Sequence, residues 1–179
     1  MTLTLEEADE YLGERTGKYE YRAVRYRAAA DELVRAGLDN SWTVADVGAG
    51  MTEFDYTLRA EYGFRGRYIP VDAGIDGTDI EQWIPPRSYN AIVALELLEH
   101  LHDPELAVIR WQMAADTVVV SVPNPRTVDV LGIDRTHVSI ITREFLEWAG
   151  FTVREETFYG GQFSNGEPDS LFGVWKLGD

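Results

Sequence analysis

The sequence predicts an α/β fold, a mostly parallel sheet with helices on both faces. Two observations carry that prediction. Short apolar runs at about 42–47, 67–71, 90–95 and 116–122 alternate with segments of helical spacing, the order produced when crossover helices join parallel strands. The first run contains Asp46 and passes through Gly48-Ala49-Gly50 into a helix; the second closes on Asp72. Glycines at a strand-to-helix turn let backbone approach a ligand closely. An acid ending the next strand can accept from both hydroxyls of a ribose. The same Asp72 also suits a plain turn at a strand end.

Residues 5 to 37 read as helical: AVRYRAAADELVRAGL places apolar side chains at helical spacing and Gly37 stops the run. The strand at about 42–47 follows, then a helix at about 52–62 and the strand at 67–71. The link from there to GTDIEQW is too short for a full crossover helix. The helix here is therefore shortened or missing, and the strand beyond it vestigial. NAIVAL (90–95) is the next strand, after the turn-like PPRSY, and a helix at about 103–113 leads into DTVVVSV (116–122). Pro123, Asn124 and Pro125 end that strand abruptly, because proline has no N–H for the ladder. TREFLEWAGF is a helix with Thr142 as N-cap and Gly150 as C-cap. Strands at about 152–158 and 171–177 close the chain, joined by a Gly/Asn/Pro-rich loop.

With 179 residues, 45% hydrophobic and 12% aromatic, the chain has enough apolar material for one packed domain. It has no cysteine, which excludes disulfides, thiolate metal sites and cysteine nucleophiles. No long apolar run and no signal-peptide pattern is present, so a cytoplasmic protein without membrane contact is expected. The formal charge of −15 disfavours nucleic acid or an anionic membrane as a partner.

The glycine turn also argues about the ligand. A dinucleotide site wants a third glycine where this chain has Glu53. A carboxylate there would repel a pyrophosphate, which speaks against a nicotinamide dehydrogenase. S-adenosylmethionine has a ribose and an adenine, carries no phosphate and is positively charged, so an acid-rich glycine loop suits it.

With these segments in order, the chain resembles the class I S-adenosylmethionine-dependent methyltransferases, in the small type 11/23-like branch with an EH signature. The resemblance runs through DVGAG, VD, DI, ALELLEHLHDP and VSVPNP to THVSIITREFLEWAGF. It implies a Rossmann-like, seven-stranded sheet with the last strand inserted antiparallel. It also implies a single methyltransferase domain over 1–179, with a helical cap at 1–40 and the cofactor-binding core at 41–179. Residue by residue, Gly48 and Gly50 would approach the methionine moiety and Asp46 would hold its ammonium. Asp72 would take the ribose hydroxyls, Asp79 the adenine amino group, and Ile80 would pack on the ring. Glu96 and Leu97 would line the sulfonium and methyl region. Asp79 has a second reading as the N-cap of IEQW.

Methyl transfer from a sulfonium is an in-line displacement that positioning and a dry site can accelerate. A base is needed only for an acceptor hydroxyl, and His100 and His137 are the candidates. The cluster Glu96-x-x-Glu99-His100, with His137 in a later loop, resembles the small-RNA 3′-terminal 2′-O-methyltransferases, where such residues hold a divalent metal. Ser139 and Ile140 stand where those enzymes place aromatic and acidic residues. The reading adopted is therefore no metal, with Glu96, Glu99, His100 and His137 as the alternative ligand set. His102 reads as a solvated helix residue.

Acceptor candidates are Tyr19, Tyr21 and Arg25 in the N-terminal segment, and Asn124, Arg126 and Arg135 with His137 in the later loops. Their plainer readings are core tyrosines and solvated arginines. Trp148 and Tyr159 read as exposed aromatics marking an interface. The expectation is thus a methyltransferase acting on O or N of a small or medium-sized acceptor. A homodimer or partner subunit would complete its minimal cap. The rivals are a metal-assisted RNA 2′-O-methyltransferase and a non-catalytic scaffold that keeps the fold.

Overall fold

A computed structural model describes residues 19–86 and 89–178. The first half of the expected N-terminal helix, the side chain of Tyr21, and Arg87 and Ser88 of the PPRSY turn lie outside the described residues. In chain order the elements begin with α1 (Tyr19–Arg35), β1 (Thr43–Val47), α2 (Glu53–Glu61), β2 (Arg67–Val71), α3 (Ala73–Asp76) and β3 (Tyr89–Leu95). A 3-10 turn (Leu98–His100) follows, then α4 (Pro104–Gln112), β4 (Ala115–Pro123), α5 (Val130–Ile133), α6 (Arg143–Trp148), β5 (Thr152–Glu156) and β6 (Ser170–Lys176).

The strands form one sheet in the order β2-β1-β3-β4-β6-β5. All pairings are parallel until β6, which inserts antiparallel between β4 and β5. Among the described residues the sheet has six strands, not the seven expected. The missing one would lie outside β2, where only four residues of helix follow Asp72 and turns carry the chain on. The edge is β2 itself, and it contains Pro70, a residue tolerated in a ladder only where no neighbour needs its N–H.

The strands read as continuous apolar runs because both of their faces are buried. Side chains alternate between two cores. Ala45, Ile92, Ala94, Val118 and Val120 enter one, with Val108 and Trp111 of α4 and Leu146 of α6. Val44, Ala91, Val93 and Val119 enter the other, with Ala29, Ala30 and Leu33 of α1 and Phe54 and Leu58 of α2. The expected cap helix is thus also a core helix. Local signals set the ends: Asp103 accepts the N–H of Leu106 before Pro104, and Thr142 accepts that of Phe145. Gly37 and Gly150 take φ of 100° and 86° just past α1 and α6. His102 is not in a helix; it lies between the 3-10 turn and α4, exposed, with its ring Nδ1 3.0 Å from Glu81.

Trp111 is 1% exposed and fills the space between α4 and the sheet. Trp111→Ala should cost about 3–5 kcal/mol, the usual range for emptying such a site. Urea unfolding of the two proteins checks this, and a loss under about 1 kcal/mol would mean that the core collapses around the gap.

Candidate active site

Because the central strands are mostly apolar, most polar groups gather near their ends. β1 runs into Gly48 and Gly50, both in the left-handed region at φ 75° and 52°. A Cβ on Gly48 would stand 3.0 Å from Leu97, itself buried, so this turn packs directly on the residue that follows β3 by two. A Cβ on Gly50 would meet nothing nearer than the Gly48 carbonyl at 4.0 Å, leaving open space above the turn. The Gly50 N–H donates to Asp72 Oδ2 at 2.9 Å, and the Gly74 N–H donates to Oδ1 at 2.8 Å. Asp72 is thereby both the cap of α3 and a brace tying the end of β2 to the glycine turn.

Asp46 lies beneath this turn, 4% exposed. The Tyr68 hydroxyl donates to its Oδ2. Burial pushes the Asp46 carboxyl up to about 7; the Tyr68 hydrogen bond opposes the rise and the Asp72 charge adds to it. Glu53, at the third-glycine position, points elsewhere: its Oε2 accepts from Arg22 and from the Tyr26 hydroxyl, each at 2.9 Å. The repulsion inferred from its charge is therefore largely compensated by α1. Asp79 is exposed and its Oδ1 accepts the Glu81 N–H at 3.1 Å; IEQW forms a turn, not the helix that its second reading would cap. Ile80 packs half-buried against the first core.

Glu96 follows β3 with φ 56°, a conformation uncommon for a side-chain-bearing residue. Its Oε1 accepts from Ser121 Oγ at 2.7 Å and its Oε2 from the Tyr159 hydroxyl at 2.5 Å. Arg25 joins this group, 6% exposed, with Nη1 donating to the Tyr159 oxygen at 2.8 Å and 3.8 Å from Glu96. Of the proposed acceptor residues with described side chains, Arg25 alone reaches this cluster. The Tyr19 hydroxyl bonds to Thr57 and Glu61, holding α1 on α2. Asn124 is 2% exposed and braces a loop, its amide donating to the Pro168 carbonyl. Arg126 is exposed and pairs with Glu155 at 2.9 Å, and Arg135 is exposed as well.

The second cluster is Glu99, His100 and His137, whose ligand atoms all lie within 4.8 Å of one another. The N–H groups of Val138 and Ser139 donate to the Glu99 carbonyl at 2.9 and 3.0 Å, lacing the later loop onto the 3-10 turn. This brings the His100 and His137 rings to 4.7 Å, edge to face. His137 Nδ1 faces the Val130 carbonyl at 2.6 Å, which fixes the N–H there and leaves the Nε2 lone pair available. Asp134 lies alongside; burial opposes its ionisation, but Thr136 and the two imidazoles hold its carboxyl below the usual range. Glu96, the fourth member of the alternative ligand set, is not in this group.

Three members of the site escaped the sequence reading. Tyr159 is half-buried in the Glu96 network, not the exposed aromatic expected. Ser121 shares a strand of valines with one other hydroxyl, that of Thr117. Nothing local marks Asp169, 1% exposed, whose carboxylate accepts the N–H groups of Phe158, Tyr159 and Gly161.

No protein-family model matches the sequence, and no curated protein is detectably similar to it. Solved structures are similar in fold. One is the complex between the Haloferax volcanii Trm112 methyltransferase activator and a methyltransferase, with TM-score 0.66, 14% identity and 93% of each chain covered. Another is a SAM-dependent methyltransferase from Archaeoglobus fulgidus, with TM-score 0.57, 18% identity, and 84% of this chain and 94% of that one covered. The plantazolicin methyltransferase in complex with SAH matches at TM-score 0.61 and 10% identity, covering 95% of this chain and 88% of that one. At such identities these likenesses establish the fold, the Rossmann-like one of S-adenosylmethionine-dependent methyltransferases.

The raised Asp46 carboxyl has a consequence for stability. Its folded value of about 7 lies above the ordinary one, so the native state holds this proton more tightly. The stabilisation is fully present below about pH 4 and is lost as pH rises through about 7. Asp46→Asn keeps an acceptor for Tyr68 without the charge. It should unfold at higher urea than the wild type at about pH 8, with the gap narrowing toward about pH 4. A gap independent of pH would mean that Asp46 titrates normally.

Proposed function

We propose that this chain is an S-adenosylmethionine-dependent methyltransferase acting on oxygen or nitrogen of a small or medium-sized acceptor, in the cytoplasm. The observation that supports it most is the locked corner of Asp46, Gly48, Gly50 and Asp72, with open space over Gly50, at the carboxyl edge of a sheet of this fold. The fit is chemical as well as spatial: Asp46 and Asp72 line the place where a phosphate-free, positively charged cofactor would lie.

Bound there, S-adenosylmethionine supplies a methyl group on a sulfonium whose departure needs little help. The protein's part is then placement. Asp46 would hold the ammonium, Asp72 the ribose hydroxyls, and Asp79 with Ile80 the adenine; Glu96 and Leu97 would border the methyl group. For a hydroxyl acceptor, the Nε2 lone pair of His137, or His100 beside it, would take the proton. A partner subunit completing the short cap agrees with this reading, since the Haloferax volcanii methyltransferase of similar fold is seen with an activator.

A second reading is favoured by the convergence of Glu99, His100 and His137. Two imidazoles and one carboxylate suit a divalent transition metal. Such an ion would bind and acidify an acceptor hydroxyl, as a metal-assisted 2′-O-methyltransferase requires, although the charge of −15 opposes an RNA acceptor.

Calorimetric titration with S-adenosylmethionine and S-adenosylhomocysteine tests the first reading. Micromolar binding is expected, weakened at least about tenfold (about 1.4 kcal/mol) by Asp72→Ala. No binding by well-folded protein would return the scaffold reading in its place. Titration with manganese or zinc tests the second: one equivalent should bind to the wild type and none to His137→Ala, whereas binding unaffected by that change would sink the metal reading.

A further inference from the structure

We propose that Tyr159 is a positioning residue that keeps the Glu96 carboxylate turned toward the cofactor site instead of in direct hydrogen-bonded contact with Arg25, an inference that rests on the methyltransferase reading above. Arg25 is a full positive charge at 6% exposure, and a guanidinium taken out of water demands a close anionic partner. The nearest acid is Glu96, 3.8 Å away. In a dry interior such a pair closes to a direct, two-pronged contact unless something holds it apart. The Tyr159 hydroxyl does so. It accepts from Arg25 Nη1 at 2.8 Å and donates its own proton to Glu96 Oε2 at 2.5 Å, while Ser121 donates to Oε1 at 2.7 Å.

The spacer is itself rigidly held. Asp169 accepts the N–H groups of Phe158, Tyr159 and Gly161 at 2.8 to 3.0 Å and the Ser170 hydroxyl at 3.0 Å, fixing the backbone that carries Tyr159. Burial pushes the Tyr159 phenol well above its ordinary range, so it stays a neutral donor. Glu96 meanwhile keeps a left-handed backbone that a non-glycine residue adopts only when its surroundings impose it. The carboxylate is thus aimed by two hydroxyls, with a guanidinium one atom removed.

The prediction is electrostatic. An aimed Glu96 favours the cationic S-adenosylmethionine over its neutral product S-adenosylhomocysteine; a Glu96 captured by Arg25 does not. Tyr159→Phe keeps the ring and removes only the hydroxyl. Dissociation constants of both compounds should be measured calorimetrically on the wild type, Tyr159→Phe and Glu96→Gln, with melting curves for each. Tyr159→Phe is expected to leave S-adenosylhomocysteine binding within about twofold and to lower the preference for S-adenosylmethionine at least about fivefold, as Glu96→Gln does. Equal loss for both ligands would assign Tyr159 a merely structural role and overturn the proposal. So would a preference that moves with Glu96→Gln and not with Tyr159→Phe, or with neither. Absence of binding to folded wild-type protein would instead remove the methyltransferase reading, and this inference with it.

Discussion

Strands β1, β3 and β4 are buried on both faces, so the protein can place functional groups only where those strands end. That constraint organises the molecule. Alternate side chains are spent on two separate cores, against which the helices on each face pack. The first positions free of core duty are Gly48 after β1, Glu96 after β3 and Asn124 after β4, and they lie together on one edge because the strands run parallel. Asp46 is the exception: an acid still inside β1, tolerated because Tyr68 on the neighbouring strand satisfies it and because it is easily protonated.

The buried charges divide into two groups with different physics. Around Glu96, a phenol and a serine satisfy one carboxylate with an arginine beyond the phenol, and the group is assembled from four distant parts of the chain. Such a group resists change, since deleting one partner strands the others in a dry interior. Around His100 and His137, two imidazoles face backbone carbonyls and the Thr136 hydroxyl.

Much of the fold was legible because its signals are local. The alternation of apolar runs, Asp103 ahead of Pro104, Thr142 ahead of α6 and the glycines after α1 and α6 each act within a turn of chain. The corner of Gly48, Gly50 and Asp72 was legible for the same reason, as a strand-turn-helix followed by one more strand. What escaped depends on contacts far apart in sequence. Tyr159 meets Glu96 across 63 positions and Arg25 across 134, and no spacing rule reaches that far. The absent outer strand was half visible in the short link after Asp72, while Arg126 and Asn124 carried the right chemistry on loops whose bonds turn them to Glu155 and Pro168.

The edges of the sheet have a consequence for how this protein behaves when crowded. An open edge strand is a template on which a second chain can continue the ladder, the first step toward fibrils. On one side the template is β2, interrupted by Pro70, which has no hydrogen to lend to an incoming strand. On the other it is β5, where Arg154, Glu155 and Glu156 crowd five residues with charge. A copy arriving at either border meets a broken or electrostatically guarded ladder, so a chain of repeated sheets has no easy place to begin.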